Sequence, residues 1–270
     1  MIQIEHLSKC YGSHKAVDDI SFTIEDGHIY GFLGPNGAGK STTMNIITGC
    51  LSMTEGTVSV CGHDIFDDPI EAKKCIGYLP EIPPLYIDMT PIEYLSFVAR
   101  AKGVAKDKIE EEITRAIERS GIENVSDRLI KNLSKGYKQR VGIAQAIIGE
   151  PQLVILDEPT VGLDPKQIIE IRDLIKELGE KHTVILSSHI LSEVQQVCDK
   201  LIIINEGKLV ANVDTKDVDG DLEEFFLTLT GEERPAQALT ETETTEIESA
   251  ETEPENPEDA EQEASDESNL

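Results

Sequence analysis

Apolar residues fall into three regimes along this chain. Through the first sixty-odd residues they come in short groups separated by turn-forming sequence: 2–7 (IQIEHL), 16–24 (AVDDISFTI), 28–33 (HIYGFL) and 56–61 (GTVSVC). Each reads as a β-strand. From about residue 83 to 150 the spacing becomes helical. The tetrapeptide TPIE at 90–93 combines a capping box with proline at the first helical position, and Gly103 closes that helix. Residues 106–120 read as a second, glutamate-rich helix stopped by Gly121, and 136–148 as a third ended by Gly149 and Pro151. Strand–helix alternation then returns. The runs LVIL (153–156), TVIL (183–186) and LIII (201–204) are apolar throughout, as strands buried on both faces require. Helices follow Asp164-Pro165 and His189. The pattern predicts an α/β domain over 1–230 with a mostly parallel sheet, a small antiparallel β-subdomain and a helical insertion over about 83–150. No internal repeat interrupts it.

One strand–helix junction carries chemistry. Between the strand at 28–33 and a helix that Gly49 stops lies GPNGAGKST: Gly34, Pro35, Asn36, Gly37, Ala38, Gly39, Lys40, Ser41 and Thr42. It fits G-x-x-x-x-G-K-[ST], the phosphate loop of a P-loop NTPase core. Glycines let successive backbone N–H groups turn inward around a triphosphate. Lys40 adds a cation for the β- and γ-phosphates, the Ser41 hydroxyl suits Mg²⁺, and the anion faces a helix N-terminus. The motif implies a nucleotide without saying which one.

Charge changes the picture at one end. Of the formal −28, half sits in residues 231–270, which hold fifteen acidic residues against one arginine. Apart from alanine and proline, that segment is apolar only at Leu239, Ile247 and Leu270, too little to offset its ordering entropy, so a disordered tail is expected. The remaining charge is still acidic, which argues against nucleic acid or anionic lipid as a partner. Five scattered cysteines (Cys10, Cys50, Cys61, Cys75, Cys198) without a C-x-x-C pair favour reduced thiols in a cytosolic setting. No signal peptide or membrane span is expected, so work at a membrane requires docking to another protein.

A second motif narrows the chemistry. LVILDEP sets Asp157 and Glu158 directly after an apolar strand. There one carboxylate can orient the Mg²⁺ held by Ser41, and the other can polarise an attacking water. Alone, a strand ending in Asp-Glu is equally well a plain turn; beside a phosphate loop the catalytic reading dominates. NLSKGYKQRVGIAQAI (132–147) lies just upstream. It resembles the signature of ATP-binding cassette (ABC) ATPases, usually LSGGQxQR. Ser134, Gly136, Gln139 and Arg140 match; Lys135 and Tyr137 depart from it.

The resemblance spans about residues 1–213 and implies further assignments. Ser134 and Gly136 would contact ATP held by the opposite subunit, in a head-to-tail homodimer or a pair with a paralogous cassette. Tyr11 matches the aromatic that stacks on adenine, and a flat ring face suits a base. GLDP (162–165) matches the turn after the Walker B strand; Asp164 also reads as a helix N-cap. His189 matches the switch histidine beside the γ-phosphate and general base. Where the family usually has a Mg²⁺-ligating glutamine, GYLPE has Glu81, a stronger ligand that adds negative charge. GYLPE and the closing LEEFFLTLTG resemble single-cassette exporters of the drug-resistance, sodium-efflux and gliding-motility type. The expectation is an Mg-ATP hydrolysing subunit at the cytoplasmic face of the plasma membrane, attached through transmembrane permease subunits. An importer subunit and a soluble ABC ATPase, such as an iron–sulfur assembly ATPase, are the alternatives. A GTPase is disfavoured because an N-K-x-D motif is absent.

Overall fold

The computed structural model describes residues 1–218 and 220–231. Except for Gly231, the acidic segment expected to be disordered lies outside these residues. The early strand groups form an antiparallel sheet: β1 (Ile2–Tyr11), β2 (His14–Ile24), β4 (Glu55–Val60) and β5 (His63–Asp64), ordered β2-β1-β4-β5. Burial alternates at the start of β1 and over the last five residues of β2, as a sheet with one covered face requires. Both strands run further than their apolar residues suggest. A tight turn at residues 12–13 keeps them paired out to Tyr11 and His14, carrying the Tyr11 ring to the end of the sheet.

The second sheet has six strands: β3 (Ile29–Leu33), β6 (Ile76–Leu79), β7 (Leu153–Asp157), β8 (Thr183–Ser187), β9 (Lys200–Asn205) and β10 (Lys208–Asp214). Their order is β10-β9-β3-β8-β7-β6, parallel except for β10, which pairs antiparallel with β9. Side chains of the central strands alternate between two cores. Leu33, Leu156, Leu186 and Ile203 join the core shared with the helices of the insertion. Tyr30, Phe32, Ile155, Ile185 and Ile202 join the core shared with the antiparallel sheet. This two-sided burial is why β3, β7, β8 and β9 read as unbroken apolar runs.

Helix α1 (Lys40–Ile47) follows β3, and the short α2 (Pro69–Lys74) precedes β6. The insertion contains α3 (Pro91–Ala101), α4 (Ile109–Ser120) and α5 (Lys135–Ile147). Thr90 and Glu93 form the expected capping box on α3. Helix α4 begins three residues later than its composition suggests, because Lys108 N–H closes a turn onto the Ala105 carbonyl at 2.8 Å. Helix α5 is anchored at its C-terminal end. Lys102, just after α3, donates to the carbonyls of Gln145, Ala146 and Ile148 at 3.3, 3.0 and 2.8 Å. A cation suits a helix C-terminus, though burial pushes the Lys102 ammonium down to about 8. Helices α6 (Pro165–Gly179), α7 (Leu191–Val197) and α8 (Leu222–Thr230) complete the described chain. Among the described residues, no helix is long and apolar enough to cross a membrane.

Candidate nucleotide site

The site grows from the C-terminal ends of β3 and β7, where an open parallel sheet presents its loops. After Leu33 the chain turns through 34–39 into α1. Two glycines are needed there on steric grounds. Gly34 has φ +156°, and a β-carbon on it would come within 2.2 Å of the Ile204 carbonyl oxygen. Gly39 has φ +106°, and a β-carbon there would fall 2.5 Å from the Ala16 carbonyl oxygen. The loop is therefore pressed between β9 and β2 and cannot carry side chains at these points. Ala38 is buried, and its carbonyl accepts from Gly207 N–H at 3.0 Å. Gly39 begins α1 without a side-chain cap, and a helix N-terminus suits an anion. Lys40 reaches back along the loop, donating to the Gly34 and Pro35 carbonyls at 2.5 and 3.0 Å.

Parallel pairing of β7 with β8 puts Asp157 level with Ser187. The Ser187 hydroxyl donates to Asp157 Oδ1 at 2.5 Å and accepts from Glu158 N–H at 2.9 Å, tying together the ends of both strands. Asp157 is 6% exposed. Burial pushes its carboxyl above the ordinary carboxylate range, against the Ser187 hydroxyl, with the charges of Glu158 and Glu81 adding to the rise and Lys40 opposing it. Glu158 has φ +50°, a conformation uncommon outside glycine, and its Oε2 lies 2.8 Å from His189 Nδ1. The His189 ring is largely exposed while the Glu158 carboxylate is largely shielded.

These groups share a cavity of about 530 Å³ whose lining includes Tyr11, Asn36, Gly37, Gly39, Lys40, Ser41, Thr42, Glu81, Asp157, Glu158 and His189. Six consecutive or near-consecutive loop positions and five distant residues thus converge on one space, which holds loop donors, a cation, three carboxylates and an imidazole. Ser134 and Gly136 do not reach it. The Ser134 hydroxyl caps its own helix, accepting from Tyr137 N–H at 3.3 Å. Gly136 is buried beneath the Gln167 side chain and lines a separate cavity of about 430 Å³ with Arg140, Asp164 and Glu170. Asp164 caps α6 by accepting from Gln167 N–H at 2.9 Å, the structural role its sequence allowed.

Three lining residues were not anticipated: His14, Ala16 and Val161. Ser187 was also missed, although TVILS and LVILD are equally long strands in register, so the final polar residue of one signals a partner for the final carboxylate of the other.

Comparisons with known proteins bear on the family and the fold. A family model described as ABC transporter matches residues 17–161. The bacitracin transport ATP-binding protein BcrA of Bacillus licheniformis is 40% identical over 79% of this chain and 69% of its own. The lantibiotic transport ATP-binding protein SrtF of Streptococcus pyogenes is 39% identical over 84% of this chain and 96% of its own. Among solved structures, the dimeric post-hydrolysis state of the ATP-binding cassette MJ0796 with ADP and Pi superposes with a TM-score of 0.72 at 25% identity, covering 81% of this chain and all of that one.

Proposed function

The chain belongs to the ABC transporter family, as its ATP-binding and ATP-hydrolysing subunit, and from that premise we propose that it drives export through a transmembrane permease partner by closing with a second cassette around ATP. The export direction rests on relatives named for bacitracin and lantibiotic transport. The observation that carries the mechanism is the division of the motif residues. Lys40, Ser41, Asp157, Glu158 and His189 face one cavity, whereas Gly136 lines another and Ser134 lies outside both. A site split this way is completed by a second subunit, and the MJ0796 cassette is itself a dimer.

ATP phosphates are cradled by backbone N–H groups of 36–42 and neutralised by Lys40, with the adenine stacked on Tyr11. Among the described residues no three His, Cys, Asp or Glu side chains form a ready-made metal cage. The donor set is instead one hydroxyl and adjacent carboxylates, with a buried acid whose neighbours Glu158 and Glu81 are both negative. That fits Mg²⁺, which keeps phosphate and water ligands and takes only one or two from protein. Ser41 and Asp157, with Glu81 at the rim, would hold it, and it would neutralise charge on the transferred phosphoryl group. Glu158 orients and accepts a proton from the attacking water, and His189 holds that carboxylate through Nδ1. Ser134 and Gly136 of the partner cap the γ-phosphate from the N-terminus of α5. Closure passes to the permease beside Glu81, and dimer opening after hydrolysis resets the cycle. The ATP-binding domain spans residues 1–230, and the subunit works at the cytoplasmic face of the membrane.

The test is Glu158→Gln, which keeps the side chain's shape and removes its basicity. Turnover should fall by about 10²–10⁴-fold, while a fluorescent ATP analogue still binds and gel filtration with ATP shows a dimer. Hydrolysis at the normal rate would exclude Glu158 as the base.

A further inference from the structure

Two short segments, 157–160 from the last residue of β7 and 187–193 from the last residue of β8, are joined by three side-chain contacts. The first is Ser187 bridging Asp157 and the Glu158 amide; the second is Glu158 against His189. Both lie at the nucleotide cavity. The third lies away from it. Thr160 Oγ1 donates to Glu193 Oε2 at 2.7 Å, with Thr160 3% and Glu193 6% exposed. Neither residue is among those lining the nucleotide cavity. A carboxylate inside a protein is retained only where it is paired, and a hydrogen bond to a charged group under low dielectric is stronger than one between neutral groups.

The three contacts close a ring. From Glu158 two peptide units lead to Thr160, whose hydroxyl fixes Glu193 in the first turn of α7. Glu193 N–H returns to the Ile190 carbonyl at 3.1 Å, and His189, the preceding residue, meets Glu158 at 2.8 Å. Breaking the third contact leaves both phosphate-facing residues present but frees the start of α7, and with it the imidazole, to shift against a glutamate already held at φ +50°.

We propose that Thr160 and Glu193 are positioning residues for hydrolysis: their buried hydrogen bond sets the placement of His189 on Glu158. The proposal rests on the hydrolytic reading of those two residues. Angstrom-scale misplacement of a catalytic group costs one to two orders of magnitude in rate without weakening binding.

The experiment compares steady-state ATP hydrolysis of the full chain with Thr160→Val, Thr160→Ser and Glu193→Gln, each also made in a His189→Ala background. Thr160→Val, nearly isosteric but without the hydroxyl, should lower kcat about tenfold with KM for ATP within about twofold. Thr160→Ser should stay within about twofold of the parent. Glu193→Gln keeps an acceptor but loses the charge, so about a threefold fall is expected; it also serves as the reporter should Thr160→Val fold poorly. With His189 already removed, neither change should add more than about twofold, since residues acting through one another are not additive. Unchanged kcat in both Thr160→Val and Glu193→Gln, or the same tenfold loss repeated beside His189→Ala, would overturn the proposal. If Glu158→Gln turned over normally, the hydrolytic reading itself would fall, whatever the Thr160 variants do.

Discussion

Helices α1 and α5 both begin in glycine-containing polar sequence, and both first turns lack acidic residues, yet they meet phosphate on different terms. Gly39 opens α1 with no side chain to cap it, in a loop locked by two backbone approaches of the surrounding strands. Lys40, Ser41 and the carboxylates of β7 stand around the same cavity. Within one chain this end is complete for holding a triphosphate. Ser134 opens α5 and spends its acceptor on Tyr137 N–H, leaving its own proton to donate outward. Ser134 is not among the residues that line either cavity. Instead the helix is secured from behind, by Lys102 at its C-terminal carbonyls and by Arg140, which donates to the Ser120 carbonyl and to Glu170 at 2.9 and 2.7 Å. One end is a pocket and the other a rigid probe. On the proposed reading, binding is local to one chain and hydrolysis belongs to the assembly.

Removing the cation should damage the pocket most. Lys40→Ala loses a charge-assisted contact to phosphate and is expected to weaken ATP binding by about 10- to 100-fold, measured by titration with a fluorescent analogue. Undiminished affinity would mean that the loop is not the phosphate site. Ser134→Ala should act oppositely. Its affinity for nucleotide should stay within about twofold of the parent, while hydrolysis and ATP-dependent dimer formation fall about tenfold, the loss of one hydroxyl donor to a charged oxygen. Mixing the two variants sharpens the contrast. A Lys40→Ala subunit still offers an intact Ser134 to the intact loop of a Ser134→Ala subunit, so the mixture should hydrolyse ATP several-fold faster than either alone. A mixture no better than the average of its parts would place both residues in the same half of the site.

The pocket was legible in the sequence because its chemistry is written in consecutive residues. The spacing of Gly34, Gly39, Lys40 and Ser41 answers to one loop geometry, and LVIL followed by Asp157-Glu158 answers to one strand end. Parallel strands with both faces buried announce themselves as unbroken apolar runs, which made β3, β7, β8 and β9 readable. What escaped was decided across the fold. Strand β6 is short and holds Gly77 among apolar residues, and β10 is an edge strand with no fully buried position, so neither carries a strong period. Ser187 gains its role only from its register opposite Asp157. Thr160 and Glu193 stand thirty-three residues apart and read as an unremarkable threonine and a helix-face glutamate until folding buries them together. The separation of Ser134 from the cavity, by contrast, follows from the resemblance and not from any local pattern.

Tyr11 supplies the mildest test of the pocket. It lies at the end of β1, about half exposed, among the residues lining the cavity, and the Lys9 ammonium sits 5.3 Å from its ring centroid. Lys9 is fixed in turn by donating to the Ser52 carbonyl at 2.7 Å, so the ring has a cation on one face and a defined orientation before any base arrives. Stacking an adenine on a preset aromatic face contributes on the order of 1 kcal/mol. Tyr11→Ala should therefore weaken ATP binding about fivefold, and Tyr11→Phe, which keeps the ring and loses only the hydroxyl, should stay within about twofold. The same substitutions should leave inorganic triphosphate binding unchanged, because the loop at 34–42 makes no use of the ring. Equal losses for ATP and triphosphate would assign Tyr11 to the packing of β1 against the loop and remove it from base recognition.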